Sequence, residues 1–150
     1  MVTSPVGDNP RRLFSGQLPQ PLAWPPDGER LLFQDGATLA IVGVAGGEPA
    51  MVGIDVTTLT LKPQWMANGR TLPAGYPREK GTKLVTINTA DGRMRDLITW
   101  DKESGIAGFA ISPADGRIAF WAETYRRRQS DLFFSTYEEC GYRVQVFAPE

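Results

Sequence analysis

The sequence predicts an all-β protein, because short apolar stretches of strand length alternate with turn residues along its 150 residues. Glycine and proline occur 16 and 12 times, and one or the other interrupts nearly every stretch. No window shows the sustained i, i+3, i+4, i+7 apolar spacing that a helix packed on a core requires. Three similar segments, each centred on an Asp-Gly or Asn-Gly pair, divide the chain into repeats.

Each repeat opens with an apolar strand, a tight turn and a second apolar strand. The segments are residues 22–33, 63–72 and 109–120. Asp-Gly and Asn-Gly pairs between apolar stretches indicate hairpin turns, because such turns need positive φ. A proline before the pair ends the first strand in two copies, since it cannot donate to a strand ladder. The turn glycines Gly28, Gly69 and Gly116 lie 41 and 47 residues apart, a spacing typical of four-stranded propeller blades.

The remainder of each repeat predicts two more strands. They cover residues 38–44 and 50–55, then 83–88 and 93–100, then 131–137 and 142–147. We therefore expect three four-stranded antiparallel blades at about 21–59, 60–104 and 105–148. An N-terminal segment, residues 1–20, is expected to hold a lone strand at residues 11–14.

The turn segments resemble the W-S-P-D-G-K-x-L-A-F repeat of TolB-type β-propellers, a WD40-like repeat that also occurs in the propellers of prolyl-oligopeptidase-type peptidases. The copies that carry the resemblance run from Trp24-Pro25-Pro26-Asp27-Gly28 to Phe33 and from Ile111-Ser112-Pro113 to Phe120. The middle copy, Trp65-Met66-Ala67-Asn68-Gly69, lacks the Ser-Pro-Asp and has Pro73 in its expected second strand. The third copy has an extra residue, Ala114. The resemblance covers residues 11–148 and implies a partial or half propeller.

Three repeats do not close a ring, because propellers typically have about 4–8 blades. Three arrangements remain open. Two copies can pair as a homodimer that completes a six-bladed ring, the chain can be a fragment of a larger propeller, or it can form an open fan with modified outer faces.

Composition excludes several function classes. Sixteen basic and seventeen acidic residues give a net charge of −1, which favours neither nucleic acid nor a membrane surface as a partner. The chain has no histidine, so Ser-His-Asp catalysis and His-ligated zinc are excluded. Cys140 is the single cysteine, and we expect a free structural thiol. The first residues do not resemble a signal peptide and no stretch is long enough to span a membrane, so for the chain as given we expect either a cytoplasmic protein or a fragment of a longer one.

A few side chains are candidates for recognition rather than structure. Tyr125 and the basic run Arg126, Arg127 and Arg128 fall between the second and third strands of the last repeat. They form either an anion-binding patch or a solvated loop tip, and the near-neutral charge favours the loop tip. The rings of Trp24, Trp65, Trp100, Phe109 and Trp121 are expected to pack between sheets, although an unclosed ring would leave some of them as an exposed patch.

The turn acids have a structural interpretation. Asp27, Asn68 and Asp115 each stand alone in a turn, whereas calcium loops place several oxygen ligands at alternate positions. We expect these side chains to bind their own backbone. Glu138-Glu139-Cys140-Gly141 is predicted to be a charged hairpin turn, and no metal or cofactor is expected.

The sequence favours a non-catalytic module that binds another protein, which is what the resemblance to TolB-type propellers implies. One alternative is a propeller fragment accessory to a prolyl-oligopeptidase-like peptidase, although the chain has no G-x-S-x-G nucleophile elbow. Another is a propeller that binds a small molecule or carbohydrate through its aromatic residues.

Overall fold

A computed structural model of the chain describes residues 10–79, 81–99, 104–124, 129–138 and 141–146. These residues form three antiparallel sheets whose strands follow one another in chain order. The first sheet contains β1 (Pro19–Ala23), β2 (Arg30–Asp35), β3 (Thr38–Gly43) and β4 (Ala50–Asp55). The second contains β5 (Thr71–Pro77), β6 (Thr82–Asn88) and β7 (Met94–Ile98). The third contains β8 (Ser104–Ile111), β9 (Ile118–Thr124), β10 (Gln129–Glu138) and β11 (Gly141–Val146).

The prediction of an all-β chain is confirmed, and the helical content within the described ranges is a 3₁₀ turn at Val56–Thr58. The first and third sheets have the four strands expected of their repeats. Cys140 and Glu139 lie outside the described residues, between the end of β10 and the start of β11.

The second sheet corrects the prediction, because it has three strands instead of four. The expected first strand is replaced by residues 60–66, which run along β5 without forming a continuous ladder. The carbonyls of Thr71 and Pro73 accept from Met66 N at 3.0 Å and Gln64 N at 3.1 Å, and Gly75 N donates to Leu61 O at 3.1 Å. Pro73 has no N–H that could donate back to residues 60–66, so the ladder between this segment and β5 is interrupted at its centre.

The N-terminal segment also departs from the prediction. Residues 12–14 form no strand, and although Arg11 takes part in a β-bridge, none of these residues belongs to the three sheets formed by the described residues. They pack instead as an irregular segment on an apolar face of the first sheet, through Leu13 and Phe14.

Two apolar clusters join the sheets face to face. One lies between the first and second sheets and is formed by Leu32, Leu39, Ile41, Val52, Val56, Trp65, Leu72, Ala74 and Ile87. The other lies between the second and third sheets and is formed by Leu84, Ile98, Ile106, Ile118, Phe120 and Ala122. Burying each large aliphatic or aromatic side chain stabilises the stack by about 1.5–3 kcal/mol. The described residues therefore show a row of three sheets, and they do not show a closed ring.

The three repeat turns have the conformation that their sequences require. Gly28, Gly69 and Gly116 have φ values of 68°, 64° and 72°. The amides of Gly28 and Gly69 donate to the carbonyl three residues earlier, each at 3.0 Å. Gly116 N donates to Ser112 O, four residues earlier, at 3.0 Å. The third turn is thus one residue longer and accommodates the extra residue Ala114, while Gly116 keeps the positive φ of the other two turn glycines.

We predict that Gly28→Ala lowers the free energy of unfolding by about 1–2 kcal/mol, because an L-residue is disfavoured at this left-handed conformation. A Cβ at Gly28 would meet no atom within 4 Å, so the backbone is the cause of the effect. Urea unfolding followed by circular dichroism measures it. Gly53→Ala in β4 is the control, since its Cβ would make an ordinary contact with Asp91 O at 3.9 Å. An equal loss in both variants would contradict the prediction.

Candidate functional site

A cleft of about 520 Å³ lies where the three repeat turns meet. Each repeat supplies residues at or just before its turn, and we call this site the turn cleft. Its lining consists of Leu22, Ala23, Trp24 and Pro26, of Lys62, Pro63, Gln64, Trp65 and Ala67, and of Ile111, Ser112 and Pro113. Because the sheets stack in chain order, equivalent ends of neighbouring repeats come together, although the residues are far apart in sequence.

The irregular segment of the middle repeat joins the walls of the turn cleft. Trp65 donates its indole N–H to Ala23 O at 3.3 Å, which links the second repeat to the first. Gln64, the adjacent residue, donates its amide to Phe109 O at 3.1 Å, which links the second repeat to the third. Side chains of consecutive residues in an extended segment point in opposite directions, so two neighbours can reach two different repeats.

Arg30 strengthens the joint between the first two repeats. Its guanidinium donates to Gly69 O in the next turn at 2.8 Å and lies 3.2 Å from a carboxylate oxygen of Asp27 in its own turn. The same group stands over the Trp65 ring, 5.2 Å from its centroid. The basic residue that follows the first turn therefore contacts a neighbouring repeat as well as its own.

The surface of the turn cleft is mainly apolar, with a few polar groups. Trp24 is 49% exposed, whereas Trp65 is 6% exposed and forms part of the core. Lys62 is the one charged side chain among the described lining residues. A concave apolar surface with few convergent polar groups is the usual form of a binding site.

The turn acids Asp27 and Asp115, and the amide side chain of Asn68, bind the backbone of their own turns, as the sequence predicts. Asp27 accepts from Glu29 N at 2.9 Å, Asn68 from Arg70 N at 2.9 Å, and Asp115 from Arg117 N at 3.2 Å. Among the described residues, no group of three or more acidic or thiol side chains is placed to hold a metal ion.

The third turn also contains a perturbed carboxyl group. The pKa of Asp115 is held below its ordinary value of 3.8, first by a hydrogen bond with the Ser112 side chain and then by the backbone amide of Arg117. The pKa of Asp55 is lowered likewise, by the hydroxyl and amide of Thr57 at the 3₁₀ turn. Both groups stabilise local backbone geometry, and neither lines the turn cleft.

The structure locates only part of the recognition surface expected from the sequence. Tyr125, Arg126, Arg127 and Arg128 lie outside the described residues, between the end of β9 and the start of β10, and Trp100 also lies outside them. Trp121 is described, on β9, and its side chain is 43% exposed.

The expectation that the aromatic rings pack between sheets is correct for two of them. Trp65 and Phe109 contact the inter-sheet clusters. Trp24 and Trp121 belong to neither cluster and are 49% and 43% exposed, so they correspond to the alternative in which some rings stay exposed. The Trp121 ring lies over Gly108, where a Cβ would come within 2.1 Å of it. Because Gly108 has no side chain, the Trp121 ring can lie directly on this position of β8.

Sequence reasoning missed Lys62, Gln64 and Ser112 as lining residues. Nothing in their local sequences singles them out. The available signal was their position before the second and third repeat turns, combined with the face-to-face stacking of the repeats.

No helix in the described part of the chain is long and apolar enough to cross a bilayer.

Neither a protein-family model nor a curated protein matches the chain. Solved structures do resemble it. A putative TolB from Agrobacterium tumefaciens superposes with a TM-score of 0.64 at 14% identity, over 94% of this chain and 53% of that one. TolB from Acinetobacter baumannii gives a TM-score of 0.60 at 14% identity, over 94% of this chain and 35% of that one. The chain thus has a TolB-like propeller fold and spans about half or a third of the length of these two proteins.

We predict that Arg30→Met lowers the free energy of unfolding by about 1–2 kcal/mol, because it removes the hydrogen bond to Gly69 O and the cation–π contact with Trp65. Methionine keeps an unbranched apolar side chain. Arg117→Met is the matched control. Arg117 makes a 2.7 Å ion pair with Asp115 inside its own turn, and its loss is expected to cost less than about 1 kcal/mol. Urea unfolding of both variants tests the difference, and equal losses would contradict the role of Arg30 between repeats.

We predict that Asp115→Asn weakens the acid sensitivity of the fold. A carboxyl whose folded pKa is depressed contributes stability above its ordinary pKa, and that contribution is lost as the pH falls through the folded pKa. The wild-type chain should therefore lose more stability than the variant when the pH falls below 3.8. Urea unfolding at neutral pH and at several acidic values measures both slopes. Identical slopes would show that the Ser112 and Arg117 hydrogen bonds do not favour the carboxylate.

Proposed function

We propose that the chain is a non-catalytic protein-interaction module of the TolB-like propeller type, and that the turn cleft is the surface that holds its partner. One observation carries the proposal. The three repeats bring the segments before their turns to a single apolar cleft, in which a tryptophan ring remains 49% exposed. Tryptophan is among the residues that contribute most to binding energy at protein interfaces.

The lining indicates the chemistry of the partner. Trp24, Pro26 and Pro113 form a surface on which an apolar side chain can pack. Lys62 supplies a cation in the same cleft, so an acidic group next to that apolar side chain would be favoured. A peptide segment with an aromatic or aliphatic anchor beside an aspartate or glutamate fits both features.

The cleft walls are held in place before a partner arrives. The bonds from Trp65 to Ala23 and from Gln64 to Phe109 tie the three walls together. A site that is already ordered loses less conformational entropy on binding. We include no catalytic step, because the chain has no histidine and the described lining has no carboxylate.

Selection from a phage-displayed library of linear peptides tests the proposal, followed by fluorescence anisotropy with the selected peptides. We expect peptides with an apolar anchor and a nearby acid. We expect Trp24→Ser to weaken their binding at least about tenfold, as loss of a central tryptophan does at protein interfaces. Met51→Ser is the matched control, since Met51 is an exposed apolar residue of β4 outside the cleft.

The control should bind the peptides as the wild type does. Selection of no peptide, or of peptides that bind Trp24→Ser equally well, would overturn the proposal. Circular dichroism of each variant separates loss of the site from loss of the fold.

A further inference from the structure

The repeats give every sheet two distinct faces. After each turn, β2, β5 and β9 contain an equivalent apolar triplet, at residues 31–33, 72–74 and 118–120. We call the face that bears the first and third members of the triplet the leading face, and the opposite face the trailing face. Leu72 and Ala74 pack in the cluster shared with the first sheet, and Ile118 and Phe120 pack in the cluster shared with the second. Each leading face therefore packs on the trailing face of the sheet before it.

The leading face of the first sheet is covered differently. Leu31, Phe33, Ala40 and Val42 form this face, and Leu13 and Phe14 of the N-terminal segment pack on it. The Phe14 and Phe33 ring centroids are 4.8 Å apart, with an angle of 44° between the planes. Phe33 is the repeat equivalent of Ala74 and Phe120, so this segment occupies the place of a preceding sheet.

Residues 10–18, which we call the strap, contact the first sheet through two hydrogen bonds between described residues. The Arg11 guanidinium donates to Val44 O near the end of β3, and Leu18 N donates to a carboxylate oxygen of Asp35 at 2.7 Å. Gly16 lies against that carboxylate, where a Cβ would come within 2.2 Å of its other oxygen. Residues 12–18 form no strand, and Leu13 and Phe14 are only partly buried. Segments with few buried contacts and few backbone bonds open at low free energy.

The trailing face of the third sheet is partly exposed along β8 and β9, the two strands whose side chains the structure describes on this face. Ala119 is the repeat equivalent of Leu32. Leu32 lies on the trailing face of the first sheet, and that face packs on the leading face of the second sheet. The face that bears Ala119 is therefore equivalent to one that covers a leading face. Trp121 lies on the same face of β9 and is 43% exposed, with its ring over Gly108 of β8. Ala110 of β8 is exposed as well.

We propose that the trailing face of the third sheet, centred on Trp121, binds the leading face of the first sheet in a second copy of this chain, and that the strap must leave that face for the contact to form. Within the described part of the chain, the leading faces of the second and third sheets are already packed on a sheet. The leading face under the strap is the remaining one, and the contact continues the stacking already present inside the chain. Two such contacts would close two copies into a ring of six sheets.

The strap makes this association conditional. The apparent dissociation constant between copies equals the intrinsic constant divided by the fraction of chains with an open leading face. A change that releases the strap without altering either sheet therefore strengthens association. This inference rests on the sheet faces and not on the turn cleft, so either proposal can fail without the other.

Sedimentation equilibrium of the full chain over a range of concentrations tests the proposal. Phe14→Ser removes an apolar anchor of the strap and is expected to strengthen association at least about tenfold, since the open fraction rises with each anchor lost. Adding Trp121→Glu to Phe14→Ser should return the protein to the monomer. Leu18→Ser is the matched control, because the Leu18 side chain is 61% exposed and the strap bond at this position comes from its backbone.

Arg11→Ala provides a second route, because it removes one attachment of the strap and leaves the apolar packing unchanged. It should strengthen association by less than Phe14→Ser does. Circular dichroism and urea unfolding confirm that each variant is folded. If neither strap variant associates more strongly, or if Trp121→Glu does not reverse the effect, the proposal is overturned.

Discussion

The structure depends on one constraint: each sheet carries apolar side chains on both faces and needs a cover on both sides. The central strands of the first sheet show this most clearly. Leu32 and Leu39 face the second sheet, while Phe33 and Val42 face the strap. Since the apolar area removed from water is the main favourable term in folding, a sheet of this kind is not stable alone. Stacking of the sheets and the position of the strap follow from that requirement, whereas the exposed Trp121 marks a face on which it is not met.

The middle repeat combines a structural defect with a connecting role. Pro73 interrupts the ladder between β5 and residues 60–66, so this inner segment is not held as a regular strand. The freed segment places Trp65 against the first repeat and Gln64 against the third. The segment that lacks a continuous ladder with β5 therefore also ties the walls of the turn cleft together.

The TolB-like fold describes how the sheets are arranged, whereas the turn cleft is the feature on which the proposed function rests. At 14% identity, similarity to the two TolB structures establishes the arrangement of sheets and nothing about partners. The turns themselves are structural, because their acids bind the backbone of the same turn. Recognition is instead assigned to Trp24, whose ring is exposed in a cleft that three separate repeats create. Function in this proposal comes from the convergence of repeats and not from any single motif.

The sequence by itself determined the all-β class, the three repeats and their glycine turns, because strand alternation and positive-φ glycines act over a few neighbouring residues. It also placed most strands close to their observed limits. The tertiary structure alone decided three other features: the loss of the expected first strand of the second sheet beside Pro73, the packing of Leu13 and Phe14 on the first sheet, and the exposure of Trp24 and Trp121. Each depends on which residues from distant parts of the chain meet. Local patterns carry no information about that meeting, because the same apolar side chain satisfies a core, a strap or an open face.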